Sequence, residues 1–216
     1  NLGLSLVKTE FSLYLDIDTV PDQDMIEILL KNAEKIKNFS ILAPKVKNFN
    51  YTDELYIEHN KDKNCHKMKF ITGCALLFNM RILNKIGYFD ENIFLYYEEH
   101  DLYYRCLKFG FAIYLIDDAK LIHHGSSSIN KNYDYEINLT RNWHYCWSKF
   151  YYFKKNYGYF YGIKKTIPNF LRALRKYLFY KFVGDKKNSS LRMAEMQGLM
   201  ASYFLRKSLR RPRIDM

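Results

Sequence analysis

Up to Gly125, short apolar runs alternate with amphipathic or polar stretches, and beyond Asn130 this alternation stops. Short apolar runs bounded by turn residues are typical of buried strands, whereas apolar residues recurring every three or four positions predict helices. The expected strands are Phe11–Leu15, Ile41–Val46 closed by its proline, Phe70–Phe78, Phe111–Ile116 and a last one starting at Ala119. The expected helices are Asp24–Lys37, Met80–Gly87 and Asp101–Gly110, and 48–69 is expected to be a long loop or short edge strands. The pattern predicts an α/β domain.

The remaining part, residues 131–216, is predicted to be helical and strongly basic. Helices are expected over Asn138–Tyr157, over Asn169–Val183 after Pro168, and over Arg192–Leu209, with a linker at Asp185–Ser190. Residues 1–130 have a net charge of −3 and residues 131–216 one of +14, within the total of +11. We therefore expect two regions with different partners. Basic faces backed by aromatic and aliphatic ones suit an anionic membrane surface, and equally suit helices packed on the first domain with their basic side in solvent.

Chain length and cysteine usage narrow the class of protein. At 216 residues the chain is long enough for one domain, or for one domain with an appendage. Its four cysteines form no CxxC pair and have no zinc-site spacing, as expected of reduced cytosolic thiols. No apolar run approaches the ~20 residues that span a bilayer, and no signal peptide is visible. Because the sequence opens at Asn1 in what reads as the middle of an element, we expect an N-terminal part to precede it.

Two acidic residues follow the first expected strand. Asp16 and Asp18 are separated by Ile17, and side chains two positions apart point to the same side of a strand. Open α/β sheets bind ligands at the carboxyl ends of their strands, and a carboxylate pair there suits a hard divalent cation that also takes phosphate oxygens. Alternatively, Asp18 or Thr19 caps the next helix, whose start is marked by Pro21. Both interpretations stay open from the residues alone.

A second acidic group lies further along the chain, between pairs of tyrosines. Glu98, Glu99 and Asp101 are three carboxylates within four residues. Carboxylates against aromatic walls tend to have raised proton affinity, which a general base or acid near neutral pH requires. The alternative is the first turn of a helix, where acids favour the macrodipole and Arg105 pairs with Asp101.

Two further features accompany the expected strands. Gly73, inside Phe70–Phe78, would let a ligand or another backbone approach closely. His123 and His124 end the last strand before a Gly-Ser turn, where histidines can supply a metal ligand or phosphate contacts. Taken alone, a histidine in such a place is more often a surface or turn residue.

Taken together, the order and spacing of these segments resemble the inverting glycosyltransferases of family 2, in particular the bacterial rhamnosyltransferase-like members that build surface polysaccharides. The resemblance covers nearly the whole chain. Its segments are Asn1–Gly3, Leu15–Thr19, Thr72–Ala75, Ile86–Glu91, Phe94–Leu102 with Arg105 and Gly110, and Ile122–Gly125 with Ser127. The resemblance implies a GT-A fold, in which a mixed sheet flanked by helices binds a nucleotide-diphosphate sugar with a divalent cation, Mn²⁺ or Mg²⁺.

The resemblance also implies a donor site. Asp16 and Asp18 match the Asp-x-Asp motif, with Asp18 on the metal and Asp16 near the ribose or the metal. His123 matches a position from which some members add a third metal ligand, and Gly73 is expected to contact the donor. Family members begin with a strand-helix-strand unit that holds the nucleotide base, and this sequence starts after it.

The implied catalytic base lies in the second acidic group. The family has a Glu-Asp pair followed by x-Asp, and here that pair is Glu98-Glu99, with one extra methylene. The resemblance assigns the base to Glu99, which would deprotonate the acceptor hydroxyl for in-line attack, with Asp101 as second choice. Glu98 and Arg105 are expected to bind the acceptor.

The implied protein is an enzyme that adds a sugar to a growing surface glycan such as lipopolysaccharide or capsule. Its acceptor would be carried on a polyprenyl lipid at the cytoplasmic face of the membrane, where the basic region would act as a peripheral contact. Two alternatives remain. One is a truncated, inactive remnant or scaffold. The other is a nucleic-acid-binding protein, which explains the charge of residues 131–216 but not the carboxylates.

Overall fold

The computed structural model of the chain describes residues 1–58, 64–125 and 133–212. The chain divides into two compact units. The first comprises Asn1–Phe89 and Leu102–Ser128, and the second comprises Asp90–Asp101 and Ile129–Met216. The expected boundary at residue 130 lies outside the described residues, and the assignment of residues 1–130 as the catalytic domain stays a prediction.

The first unit contains a mixed sheet of seven strands. The strands are β1 Phe11–Leu15, β2 Thr19–Pro21, β3 Phe39–Val46, β4 Tyr56–Glu58, β5 Cys65–Met68, β6 Ala75–Asn79 and β7 Ala112–His123. Their order is β1-β6-β3-β7-β5-β4, with β2 paired to β7. The β3–β7 pair is parallel, and the other pairs are antiparallel. The α-helices that precede β7 in the described residues are α1 Leu2–Ser5, α2 Met25–Lys35, α3 Met80–Ile86 and α4 Glu98–Lys108.

Side chains that alternate along the central strands fill two cores, one on each face of the sheet. On β3, Ile41 belongs to the core that contains α3 and Leu102 of α4, whereas Leu42 belongs to the core that contains α2. From α2 itself, Met25 and Leu29 are fully buried in the second core. Both faces of the sheet are therefore covered by helices, which confirms the predicted α/β fold class with a mixed sheet flanked by helices.

The strand predictions were correct in kind but wrong in several bounds. The strand predicted at Phe70–Phe78 begins only at Ala75, because a turn precedes it. The two strands predicted on either side of Asp117 are one strand, β7, in which Asp117 is half-buried and paired with Lys45. Pro44 lies inside β3 and does not close it, at a register shift against β7. The first strand lies at a sheet edge and is half-buried to exposed rather than buried.

The second unit is built on three long helices, α5 Asp134–Tyr157, α6 Tyr159–Phe182 and α7 Lys186–Tyr203. Two predicted breaks between helices are wrong. Pro168 lies inside α6 at an exposed position instead of preceding the helix. The predicted linker at Asp185–Ser190 starts α7, because the Asp185 side chain accepts a hydrogen bond from the Asn188 N–H and caps the helix.

Candidate functional site

The turn after β1 carries both acids of the Asp-x-Asp motif. The Asp16 N–H donates to the Cys74 carbonyl at 2.9 Å, which prolongs the β1–β6 pairing by one residue. The Asp16 carbonyl then accepts from the hydroxyl of Thr19 at 2.6 Å and from its N–H at 3.2 Å. These bonds close a turn from which the Asp18 side chain, 14% exposed, projects toward β7. Asp18 therefore does not serve as the cap of α2, which follows Asp24.

His123 is brought to this turn by the pairing of β2 with β7. Thr19 and His123 are register partners, and the His124 N–H donates to the Asp18 carbonyl at 2.9 Å. The Nε2 atom of His123 lies 3.2 Å from Asp18 Oδ1 and 3.9 Å from Asp16 Oδ2. One ligand atom from each of the three side chains lies within 4.8 Å of the others. The side chains that the sequence suggested for a metal site thus come together.

The donor set fits a divalent cation. Two carboxylates and one imidazole, all partly exposed, leave room for further oxygen ligands from water or a phosphate. Carboxylates suit Mg²⁺ and Mn²⁺ alike, whereas an imidazole ligand favours a transition metal. Of the two predicted cations, Mn²⁺ is therefore the better match to this set.

Two residues that support the cluster were not anticipated. The Tyr14 hydroxyl donates to Asp16 Oδ1 at 2.6 Å, and the two-residue alternation along β1 was a signal that could have indicated it. The Asn48 amide donates to the His123 carbonyl at 2.7 Å, and its Oδ1 accepts from the His123 N–H at 3.2 Å. Asn48 thus acts like a strand partner that holds the end of β7, and no local sequence pattern indicates it.

Gly73 lies in the turn that precedes β6, next to Cys74, whose carbonyl accepts from Asp16. Burial raises the pKa of the Cys74 thiol, so this side chain acts as a small apolar group beside the carboxylates. Donor binding by Gly73 stays a prediction. The phosphate contacts suggested for His123 and His124 stay a prediction, and Ser127, part of the resemblance, lies outside the described residues.

The second acidic group belongs to the second unit and forms the first turn of α4, which begins at Glu98 rather than at Asp101. The macrodipole interpretation is therefore confirmed as far as position goes. Burial, together with the charge of Glu99, raises the pKa of Glu98 to about 7. Among the described residues, no donor reaches Glu98 Oε2, which is buried. Glu98 was expected to bind the acceptor, and the base was assigned to its neighbour Glu99; both assignments stay predictions.

The two residues before Glu98 have a strained backbone. Tyr96 and Tyr97 have φ values of 63° and 70°, a region that side chains with a Cβ rarely adopt. Their rings pack on Tyr145, at centroid distances of 5.8 Å and 5.7 Å, and the Ser148 hydroxyl donates to the Leu95 carbonyl at 2.8 Å. Strain of this kind costs about 1–3 kcal/mol per residue and concentrates at functional sites.

Asp101 occupies a different environment from Glu98. Its carboxylate is fully buried, lies 2.8 Å from Lys155 Nζ, and accepts from Asn156 at 3.2 Å. The same ammonium lies 2.8 Å from Asp90, which also accepts from the Tyr151 hydroxyl at 3.0 Å. Burial alone would raise the pKa of Asp90, but hydrogen bonds from Lys155 and Asn92 outweigh it and lower that pKa to about 2. This geometry favours a structural role for Asp101.

Arg105 is committed to the backbone. Its guanidinium donates to the carbonyls of Ile86, Gly87 and Tyr88, with the first two bonds at 2.7 Å and 2.8 Å. These carbonyls end α3 and begin the segment after it, where Gly87 has a φ of 81°. Arg105 thus caps a helix end, and its predicted contact with an acceptor stays a prediction.

Comparisons with known proteins find matches among solved structures. No family model and no curated protein matches the sequence. Among solved structures, the chain is similar to residues 1–349 of TarS from S. aureus, crystallised in complex with UDP-GlcNAc. The similarity covers 95% of this chain and 71% of that one, at 12% sequence identity and a TM-score of 0.43. These values give no correspondence between individual residues, so the function proposed below rests on the residues of the two sites.

Proposed function

We propose that this chain is a glycosyltransferase that moves a sugar from a nucleotide-sugar donor to a hydroxyl of a growing bacterial surface glycan. The observation that carries the proposal is the convergence of Asp16, Asp18 and His123, whose ligand atoms lie within 4.8 Å of one another although they come from both ends of the first unit. The resemblance in motif order supports the finer assignment to the inverting, rhamnosyltransferase-like members of family 2 with a GT-A fold.

The donor diphosphate is proposed to lie against the Asp16, Asp18 and His123 cluster. A divalent cation, Mn²⁺ or Mg²⁺, held by these side chains would neutralise the charge that develops on the diphosphate leaving group. Asp18 is the less exposed of the two carboxylates and is held by the β2–β7 pairing, which suits a fixed ligand. Asp16, bonded to Tyr14, is oriented by that hydroxyl toward the metal or the ribose.

The base is proposed to lie in the Glu98-Glu99 pair. The carboxyl of Glu98, with its pKa raised to about 7, can accept the proton of a sugar hydroxyl and release it again near neutral pH. Glu99 was the residue that the motif alone indicated, and its charge contributes to the raised pKa of Glu98. Because the charge of one residue acts on the other, separate variants of Glu98 and Glu99 are needed to distinguish their roles.

A peripheral contact with the inner face of the membrane belongs to the same proposal. Among the helices of the described residues, none has both the length and the apolar composition needed to cross a bilayer. Helix α6, however, has one stripe of exposed apolar side chains at helical spacing, with basic residues such as Arg175 and Lys181 along it. The stripe consists of Phe160, Ile167, Leu171, Leu178 and Phe182.

The proposal is tested by donor turnover. The chain is incubated with a panel of nucleotide-diphosphate sugars and Mn²⁺, and release of nucleoside diphosphate is measured for the unaltered chain and for Asp18→Ala. The matched control is Asp24→Ala, an exposed acid that precedes α2. Turnover of one donor that is lost in Asp18→Ala and kept in Asp24→Ala is expected. Turnover that survives in Asp18→Ala would exclude the metal assignment.

A further inference from the structure

A cavity of about 450 Å³ opens in the second unit, beside the segment Glu91–Phe94. Its walls are this segment, one side of α5, and the chain that follows α7. Four cations line it, against the single carboxylate of Glu91. The cations are Lys154, Arg206, Lys207 and Arg211. A volume of this size falls within the range of small-molecule sites, about 300–1,000 Å³.

Within residues 1–58, 64–125 and 133–212, the four cations have no anionic counterpart of their own. In the described parts of the chain, none of them forms a salt bridge with a carboxylate. Arg211 is instead held over the Phe94 ring, with its guanidinium carbon 3.7 Å from the ring centroid. Like charges gathered around a cavity raise its positive potential, and a bound anion would lower the energy of this arrangement.

The cavity wall is fixed by specific bonds rather than formed by a loose tail. Leu205 has a φ of 56° and turns the chain after α7, and the Arg206 N–H donates to the Ala201 carbonyl at 2.8 Å. The Trp147 indole N–H then donates to the Arg206 carbonyl at 2.9 Å. These bonds hold the backbone from which Arg206 and Lys207 project.

A buried histidine secures the next residues. His144 is fully buried, and its Nε2 lies 2.8 Å from the Arg210 carbonyl, so this nitrogen must carry the proton. Its Nδ1 therefore accepts from the Ser208 hydroxyl at 2.9 Å. The segment between Ser202 and Arg211 is thus anchored at both ends, which preorganises the cations.

We propose that this cavity binds a phosphate or diphosphate ester group. Arginine guanidinium groups match phosphate oxygens in pairs, and two lysines add point charges beside them. The apolar sides of Trp147 and Leu205 would cover the organic part of the ligand. The inference does not depend on the proposed transferase function, because its lining includes neither the Asp16, Asp18 and His123 cluster nor Glu98 and Glu99.

The test is calorimetric titration of the full chain with inorganic pyrophosphate in the absence of divalent cations. In the double variant Arg206→Gln, Lys207→Gln the dissociation constant is expected to rise about tenfold or more, the loss typical of one charge-assisted hydrogen bond. The matched control is Lys186→Gln, Lys187→Gln, an adjacent exposed pair of basic residues at the start of α7, which should bind as the unaltered chain does. The side chains replaced in the double variant and in its control are all exposed, so both proteins should fold, and circular dichroism verifies this.

The outcomes separate this site from the proposed donor site. Pyrophosphate binding that Asp18→Ala retains and the cavity variant loses supports the proposal. No binding by the unaltered chain, or equal weakening in the cavity variant and its control, overturns it.

A second titration identifies the source of the phosphate, with phosphatidylcholine vesicles that contain phosphatidic acid. Vesicle binding displaced by pyrophosphate and weakened in the cavity variant indicates a lipid headgroup. Pyrophosphate binding without cavity-dependent vesicle binding indicates a soluble phosphate ester, and both results support the shared chemistry.

Discussion

Lys155 neutralises two carboxylates of the second unit at once. Its Nζ lies 2.8 Å from both Asp90 and Asp101, whose side chains are 9% and 0% exposed. Carboxylates taken this far out of water are stable as anions only while a cation and hydrogen-bond donors hold them. Lys155, itself partly exposed, and Asn156 are thus described partners that hold the buried carboxylate of Asp101.

Replacing Lys155 with Met should lower the free energy of unfolding by about 3 kcal/mol, because it leaves two enclosed carboxylates without their cation. Urea denaturation at pH 7 measures the change. Lys176→Met, at an exposed position on α6, is the control and should change the free energy of unfolding by less than about 0.5 kcal/mol. The pKa of Asp90 is lowered to about 2, so its contribution is present above its unfolded pKa near 3.8 and is lost as the pH falls toward 2. If Lys155→Met lowered the free energy of unfolding as little as Lys176→Met does, the role of Lys155 in holding the two carboxylates would be contradicted.

Glu98 gives a prediction with the opposite pH dependence. Its folded pKa of about 7 lies above the ordinary value of 4.5, so its contribution to stability is present below pH 4.5 and is lost as the pH rises through 7. Glu98→Gln should therefore unfold at a higher urea concentration than the unaltered chain at pH 8, and the difference should be smaller at pH 5. If Glu98 is the base, the same variant lowers kcat/KM about 100-fold. It also abolishes the decrease in kcat/KM that the unaltered chain shows as the pH falls below about 7. An unchanged pH profile in Glu98→Gln with a lost limb in Glu99→Gln would move the base to Glu99.

The three side chains of the candidate metal site were predicted from the sequence, whereas the residues that hold them in place were not. Asp16 and Asp18 follow a strand, and His123 ends another, so the general position of both follows from local pattern. Asn48 reaches His123 across 75 residues of chain, and nothing local marks it. The same is true in the second unit of Lys155, which reaches Asp101 across 54 residues. Sequence periodicity gives the direction of a side chain, but pairing between distant segments depends on the assembled fold.

At the scale of elements, the packing of α7 on α5 depends on one glycine. A Cβ built on Gly198 would lie 2.2 Å from the Trp143 carbonyl oxygen, which is backbone and cannot rotate away. In an exposed helix, replacing glycine with alanine raises the free energy of unfolding by about 1 kcal/mol. Any decrease measured for Gly198→Ala therefore comes from the clash and not from helix propensity.

Gly198→Ala should destabilise the chain by about 1–3 kcal/mol, the usual cost of overpacking. Gln197→Ala, one residue earlier and exposed, is the control and should be neutral or slightly stabilising. Thermal unfolding followed by circular dichroism compares the two. Equal melting temperatures would mean that α5 and α7 are not packed this closely.

The helix and strand bounds that the sequence missed have physical causes in common. Pro168, which was expected to precede a helix, lies within α6 at an exposed position. In β7 the polar Asp117 and Asp118 interrupt the apolar pattern, but their carboxylates are bonded to Lys45 and Asn64, so the strand continues. A local sequence pattern shows that a polar or proline residue is unfavourable in a strand or helix. It does not show the surroundings in the fold that compensate for that residue.

At the scale of the whole molecule, charge is divided between residues 1–130, at −3, and residues 131–216, at +14. The exposed stripe of α6 lies within the basic part, so an anionic surface would meet apolar and cationic groups together. This juxtaposition supports the proposed membrane contact more directly than charge alone.

Leu171→Ser with Leu178→Ser should reduce recovery of the chain with anionic phosphatidylglycerol vesicles in a flotation assay, because both leucines are 57% exposed in the stripe. The matched control is Leu2→Ser with Leu6→Ser, two exposed leucines of the first unit. Binding by the unaltered chain should weaken as salt is raised. Equal recovery of the stripe variant and its control would contradict a role for α6.

The most direct test of the central claim is calorimetric binding of nucleoside diphosphates with and without Mn²⁺, for the unaltered chain, Asp18→Ala and His123→Ala. We expect binding that requires Mn²⁺ and that weakens at least tenfold in Asp18→Ala, because even groups that only orient metal ligands typically contribute about 10–100-fold. Asp24→Ala should bind as the unaltered chain does. Nucleotide binding that is the same without Mn²⁺, or that persists in Asp18→Ala, would contradict a metal-assisted donor site at Asp16, Asp18 and His123.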